Sequence, residues 1–196
     1  MTRRARSLAV VAILVAGAAA LIASTQTWID VTLAAGVSTA VAVSGAAAAP
    51  VLAPLSLAVL ALGAALSIVG LVLRYVFGVL AVGAAVALGM IGVQIAAGPP
   101  LSAYGPAVTE ASGITGESAL SGLVVSAALS AWPFVVVAAS VLLLAGGLFT
   151  LVTARRWRSG GRKYNTGGPR VASSGPLDPI DSWDELSRGS DPTTPG

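Results

Sequence analysis

Chemistry in a protein needs side chains that move protons, attack electrophiles or hold metals, and this chain of 196 residues carries few of them. It contains no Cys and no His. That removes thiolate nucleophiles, imidazole bases, disulfides and most zinc or haem ligands at once. Between Ser7 and Ala154 the acids and bases reduce to Asp30, Arg74, Glu110 and Glu117. A carboxylate pair drawn from Asp30, Glu110 and Glu117 is the one route to acid–base work, and nothing in the sequence stands ready to assist it. No catalytic, cofactor-binding or metal-binding residue is expected, and so no cofactor and no enzyme.

The elements that must position these groups are membrane helices. Hydrophobic residues make up 56% of the chain and charged residues 10%, more apolar surface than a soluble core of this size can hide. The clearest stretch is Val51 to Ala97, almost entirely Ala, Val, Leu, Ile and Gly with Arg74 near its middle. A single helix over that run would be about 70 Å long against a hydrocarbon core of roughly 30 Å, so it must fold back on itself. An unpaired arginine at mid-bilayer costs at least about 2.5 kcal/mol, and this places the turn at Arg74 with its guanidinium among the headgroups. The expected spans are therefore 51–73 and 75–97, with residue 74 as the cytoplasmic turn.

Upstream, Arg3, Arg4 and Arg6 in a basic segment 1–7 precede an apolar run. Residues 8–27 are read as a retained span, with Trp28 as the aromatic residue at its interface. The same layout, with Ala23 and Ser24 as small residues near a cleavage point, is that of a secretory signal peptide, which stays open as the other reading. The loop 28–50 follows, outside the membrane. Period-two alternation in Ile29–Leu33 and again in Thr39–Ser44, around Ala34-Ala35-Gly36, suggests a short β-hairpin. A plain loop, or an inward extension of the next helix, is the alternative.

Gly98-Pro99-Pro100 ends the second helix of the hairpin. Residues 98–131 are a second outer loop whose later half, Leu120 to Ala131, turns apolar again. Trp132-Pro133 then opens the last span, 132–152, because Pro suits the first helical turn and Trp the interface. The small-residue spacings Gly63 with Ser67, Gly83 with Ala87 and Ala85 with Gly89 suit close helix approach.

Arg155, Arg156, Arg158, Arg162 and Lys163 arrive together around Trp157 and Tyr164. With Arg3, Arg4, Arg6 and Arg74 they fall on one side of the membrane, and no Lys or Arg falls on the other. The positive-inside rule then puts both termini in the cytoplasm with four spans in the plasma membrane. These nine cations are the expected contacts with an anionic inner leaflet, and Trp28, Trp132, Trp157 and Tyr164 the expected interfacial aromatics. Anionic lipid, rather than nucleic acid, is the partner such a basic but apolar chain implies.

The cytoplasmic segment 153–196 is basic first and acidic last. From Thr166 it is rich in Gly, Pro and Ser and is expected to be disordered. Near its end Trp183, Asp184, Glu185, Leu186 and Asp191 form a candidate docking motif for a membrane-protein partner, with Ser182 and Glu185 spaced as a capping box. A solvated acidic end is the plainer reading.

Trp28, Gly45 with the following Pro50, Trp132-Pro133, Arg155-Arg156-Trp157, Lys163-Tyr164 and the tail from Trp183 to Thr193 together resemble the actinobacterial tryptophan-operon-associated transmembrane protein family. The tail carries the most specific part, with its Trp-Asp start, Arg188-Gly189 pair and final Asp-Pro-Thr. Ser190 departs from the acid the family pattern has there. The resemblance implies a four-span membrane protein whose gene neighbours tryptophan-biosynthesis genes, and it implies no activity and no site residues.

The fold expected is an all-α membrane protein of four transmembrane helices with, at most, a small outer β-hairpin and a disordered tail. The function expected is a non-enzymatic accessory or scaffold associated with tryptophan metabolism. The alternative is a small transporter, or a transporter subunit, for an aromatic amino acid or related metabolite. Ionisable groups within spans mark ion and proton pathways, and these spans lack them, which counts against the alternative.

Overall fold

The computed structural model describes residues 2–34 and 40–156. In hydrocarbon a backbone has no water to bond to, so apolar runs of this length close their hydrogen bonds locally as helices. Three helices are long and apolar enough to cross a membrane: α1 (Thr2–Thr25) over Arg6–Thr25, α4 (Leu71–Ala96) and α7 (Trp132–Thr153). A fourth apolar helix, α3 (Leu52–Leu66), has 15 residues and rises about 22 Å, short of a roughly 30 Å core. The expectation of four spans is thus met in part.

The α3–α4 connection is Ser67–Gly70, so the turn expected at residue 74 lies several residues earlier. The Ser67 hydroxyl donates to the Ala64 carbonyl, and the Ser67 and Ile68 amides close onto Ala64 and Ala65, ending α3. Gly70 then caps α4, leaving Arg74 inside the first turn or so of that helix.

Contacts between glycines and facing side chains show how the helices run. A Cβ added to Gly17 of α1 would meet Val59 and Leu60, and one on Gly63 of α3 would meet Leu14 and Ile13, an antiparallel register. Along α4 and α7, Gly78 faces Leu151, Gly89 faces Ser140 and Gly92 faces Val137, again antiparallel. The four helices form an up-down ring in the order α1, α3, α4, α7. Three seams, α1–α3, α1–α7 and α4–α7, are closely packed, and the α3–α4 seam is much looser. Gly92 needs its lack of a side chain: an added Cβ would sit 2.9 Å from Val137 Cγ2 and 3.2 Å from the Pro133 carbonyl oxygen. In a bilayer, where hydrophobicity gives no drive for helices to associate, such close approach is what holds a seam.

A small cap closes one end of the bundle. Strands β1 (Thr27–Leu33), β2 (Ala40–Ser44) and β3 (Val124–Leu129) form an antiparallel sheet in the order β2-β1-β3. The hairpin read from alternation is present as β1 and β2, with Val31 opposite Val41. The third strand, in the apolar half of the segment 98–131, lies outside what alternation showed. Asp30 pairs with Ala128 and Val31 with Ala127. Two more bonds lengthen that ladder, from the Ala34 amide to the Leu123 carbonyl and from the Ser130 amide to the Trp28 carbonyl. The fold is therefore mostly helical with a three-stranded sheet, not all-α. The short helix α2 (Gly45–Ala48), α5 (Leu101–Ser112) and α6 (Glu117–Leu123) complete the cap. Gly113, at φ 70°, ends α5 in the left-handed conformation that favours glycine.

Candidate functional site: the two ends of the bundle

At the end away from the sheet, Arg74 is 1% exposed. Helical side chains lean toward the helix N-terminus, so its long stem carries the guanidinium back to the level of the α3–α4 turn. There Nη2 donates to the Val69 carbonyl at 3.2 Å, and Nη1 donates at 2.9 Å to the carbonyl of Ala154, the residue that caps α7. Carbonyls at a helix C-terminus have no intrahelical partner and carry partial negative charge, so a buried cation there meets acceptors already waiting for one. Arg74 thus clasps the turn to the end of α7. Expected at the membrane surface, it instead faces protein.

The same end holds the other described cations. Arg6 of α1 is half-buried and close enough for its charge to act on that of Arg74. Arg155 is exposed in the 3-10 turn Ala154–Arg156 that follows α7 and contacts α4. Arg3 and Arg4 lie on the first turns of α1, and Arg156 closes the 3-10 turn. Arg158, Arg162, Lys163, Trp157 and Tyr164 lie outside the described residues, as does the whole docking motif of Trp183, Asp184, Glu185, Leu186 and Asp191.

At the sheet end stand the described acids. Asp30 points outward from β1, Glu110 is exposed on α5, and Glu117 is exposed at the start of α6. Among the described residues, no group of three or more Asp, Glu, His or Cys is placed to hold a metal ion. The expectation for Trp28 is corrected. It is 0% exposed, its Nε1–H donates to the Ala23 carbonyl at 2.8 Å, and its ring lies against Gly45, where an added Cβ would fall 2.5 Å from Nε1. A register shift between Thr27 and Ile29 turns both Trp28 and Ile29 inward, so the indole locks the cap to the top of α1 instead of marking the interface. Trp132 is half-buried where α7 begins and packs against the core.

Two residues that position the cap carried no signal of their own. Ser130 bonds the Thr27 carbonyl at 2.8 Å across 103 residues of chain, closing the sheet where α7 starts. Gly45, given with Pro50 in the resemblance above, gains its role only from the indole of Trp28 that lies on it.

A helical membrane chain whose described residues put acids at one end, cations at the other and a tryptophan on a glycine matches one family over residues 10–193, that of the tryptophan-associated transmembrane proteins. The chain belongs to this family. Neither the curated proteins nor the solved structures include a match to it. As a tryptophan-associated transmembrane protein, it carries apolar helices long enough to span a bilayer, with the clasp at one end and the cap at the other.

Proposed function

We propose that this chain is a non-enzymatic accessory or scaffold protein of the plasma membrane, associated with tryptophan metabolism. In this reading it crosses four times with both termini in the cytoplasm, displays the cap outside, and presents its tail to a membrane-protein partner. The observation that carries the reading is the fate of Arg74. Arg74, the one Asp, Glu, Lys or Arg in α3, α4 and α7, is spent at the helix ends on backbone carbonyls at 2.9 and 3.2 Å, so it offers no hydrogen-bond fork to a substrate. Among the described residues the acids and the bases are otherwise parted to opposite ends, which supports the orientation through the positive-inside rule. In the tail, Trp183 and Leu186 supply an apolar anchor, and Asp184, Glu185 and Asp191 a field suited to a basic surface.

The experiment is affinity purification from membranes of the full chain and of a chain lacking residues 178–196. Partners that depend on the tail are the expected result; identical partners from both would overturn docking through the tail. The second reading, a carrier or carrier subunit for an aromatic amino acid, draws on the tryptophan association of the family alone. Uptake of such a substrate by vesicles containing only this protein would establish it.

A further inference from the structure

Three seams of the helix ring are closed by glycine contacts, and the fourth is open. Between α3 and α4 lies a groove of about 750 Å³ lined only by Ala, Leu, Val, Phe and Gly, from Leu55 to Ala65 on one wall and from Phe77 to Ala87 on the other. Each wall runs over eleven residues, whose ends are about 15 Å apart along the helix, the depth of one leaflet of a roughly 30 Å hydrocarbon core. The groove begins one helical turn beyond Arg74, so that depth is measured from the basic end. A second hollow of about 340 Å³ shares Val79 and Leu80 with it and reaches down to Tyr75, the neighbour of Arg74 in sequence. Gly83 lies in the floor, where an added Cβ would meet no atom within 4 Å.

The volume is that of a ligand pocket, but such pockets fix polar ligands with a few convergent polar groups, and this lining has none. An amino acid would leave an ammonium and a carboxylate unpaired there. Hydrocarbon loses nothing. At the end of the bundle where the groove begins, α1 carries the half-buried Arg6, the 3-10 turn that bears the exposed Arg155 contacts α4, and the α3–α4 turn holds out Ile68, 88% exposed, as an apolar contact at that level. We propose that the α3–α4 groove is a binding site for an anionic phospholipid, one acyl chain lying along Leu55–Ala65 and Phe77–Ala87 and the phosphate resting at the basic end. Depth, lining and charge all select this ligand, and α3 and α4 can then stay splayed without an empty cavity in the membrane.

The test uses the full chain, purified from bilayers of equal dioleoyl phosphatidylglycerol and phosphatidylcholine, with retained lipid counted by native mass spectrometry. Wild type is expected to retain phosphatidylglycerol in preference to phosphatidylcholine. Gly83→Leu and Ala61→Leu extend into the open groove and should cut retained lipid about tenfold with an unchanged melting temperature. Val86→Leu, exposed on α4 outside the lining, should leave retention as it was. Equal retention by the filled variants, or no preference for the anionic lipid, overturns the proposal. Since the chain has no Cys, a Gly83→Cys variant also reports on a competing occupant. A disulfide between two copies in the bilayer would mean that a second chain fills the groove, and would overturn the proposal as well.

Discussion

At the scale of the residue, Arg74 shows how a charge in an apolar run is accommodated. A guanidinium left in hydrocarbon is costly, but one that finds two carbonyls at a helix end and a tight turn exchanges water for acceptors of matching charge. Bonds between neutral groups across membrane helices average about 0.6 kcal/mol, whereas bonds to charged groups reach about 1.5–3 kcal/mol. Replacing Arg74 with Met keeps the apolar stem and removes the donors. It should lower stability by about 1–3 kcal/mol, read as a lower melting temperature in detergent. Arg74→Lys should fall between the two, because a point charge on a flexible stem cannot hold both carbonyls as a planar fork does. A Met variant as stable as wild type would show that the clasp is incidental.

At the scale of the element, the β1–β3 ladder ties together two segments separated by five helices, α2 to α6. Asp30 and Ala128 face each other across it, and both are exposed. Directly opposed residues of an antiparallel pair have Cα atoms about 4.5–5.5 Å apart, within the window of about 4.4–6.8 Å that a disulfide accepts. In a chain without native Cys, the double variant Asp30→Cys, Ala128→Cys should therefore form one intramolecular disulfide. If the cap lies outside the cytoplasm the bond should form in intact cells with no added oxidant, because that side is oxidising. Thiol labelling under denaturing conditions reads the result. Failure to oxidise even with added oxidant would count against the ladder, and oxidation only with added oxidant would count against an outer cap.

At the scale of the whole molecule, the number of crossings turns on α3, whose 15 residues, all apolar but Ser56, cover about 22 Å. A short helix can still cross when the bilayer thins around it or flanking residues reach outward, at fractions of a kcal/mol per Å of mismatch. That cost is small beside leaving so apolar a helix in water, so α3 is expected to cross. A secreted phosphatase fused after Glu110 should then be active, and the same reporter fused after Val69 or after Arg156 should be inactive. Activity at Val69 would leave α3 on the outer side and reduce the spans to the three long helices. Activity after Arg156 would reverse the orientation drawn from the cations.

The sequence alone determined what a bilayer decides locally. Apolar runs in lipid must satisfy their own backbone, so composition is enough to read them as helices, and Trp132-Pro133 is enough to start α7. Alternation over Ile29–Leu33 and Thr39–Ser44 likewise sufficed for the first two strands, because the residues of Ile29–Leu33 and Ala40–Ser44 are sorted to alternate faces of the sheet. Tertiary structure alone decided the rest. Val124–Leu129, VVSAAL, is a short apolar run that periodicity cannot assign to helix or strand, and it became β3 because the free edge of β1 was there to pair with it. Trp28 went inside because a register shift in β1 turned it toward Gly45. Arg74 left the turn to Ser67–Gly70 because the acceptor that makes its burial tolerable, the Ala154 carbonyl, lies 80 residues away, beyond what any local pattern records.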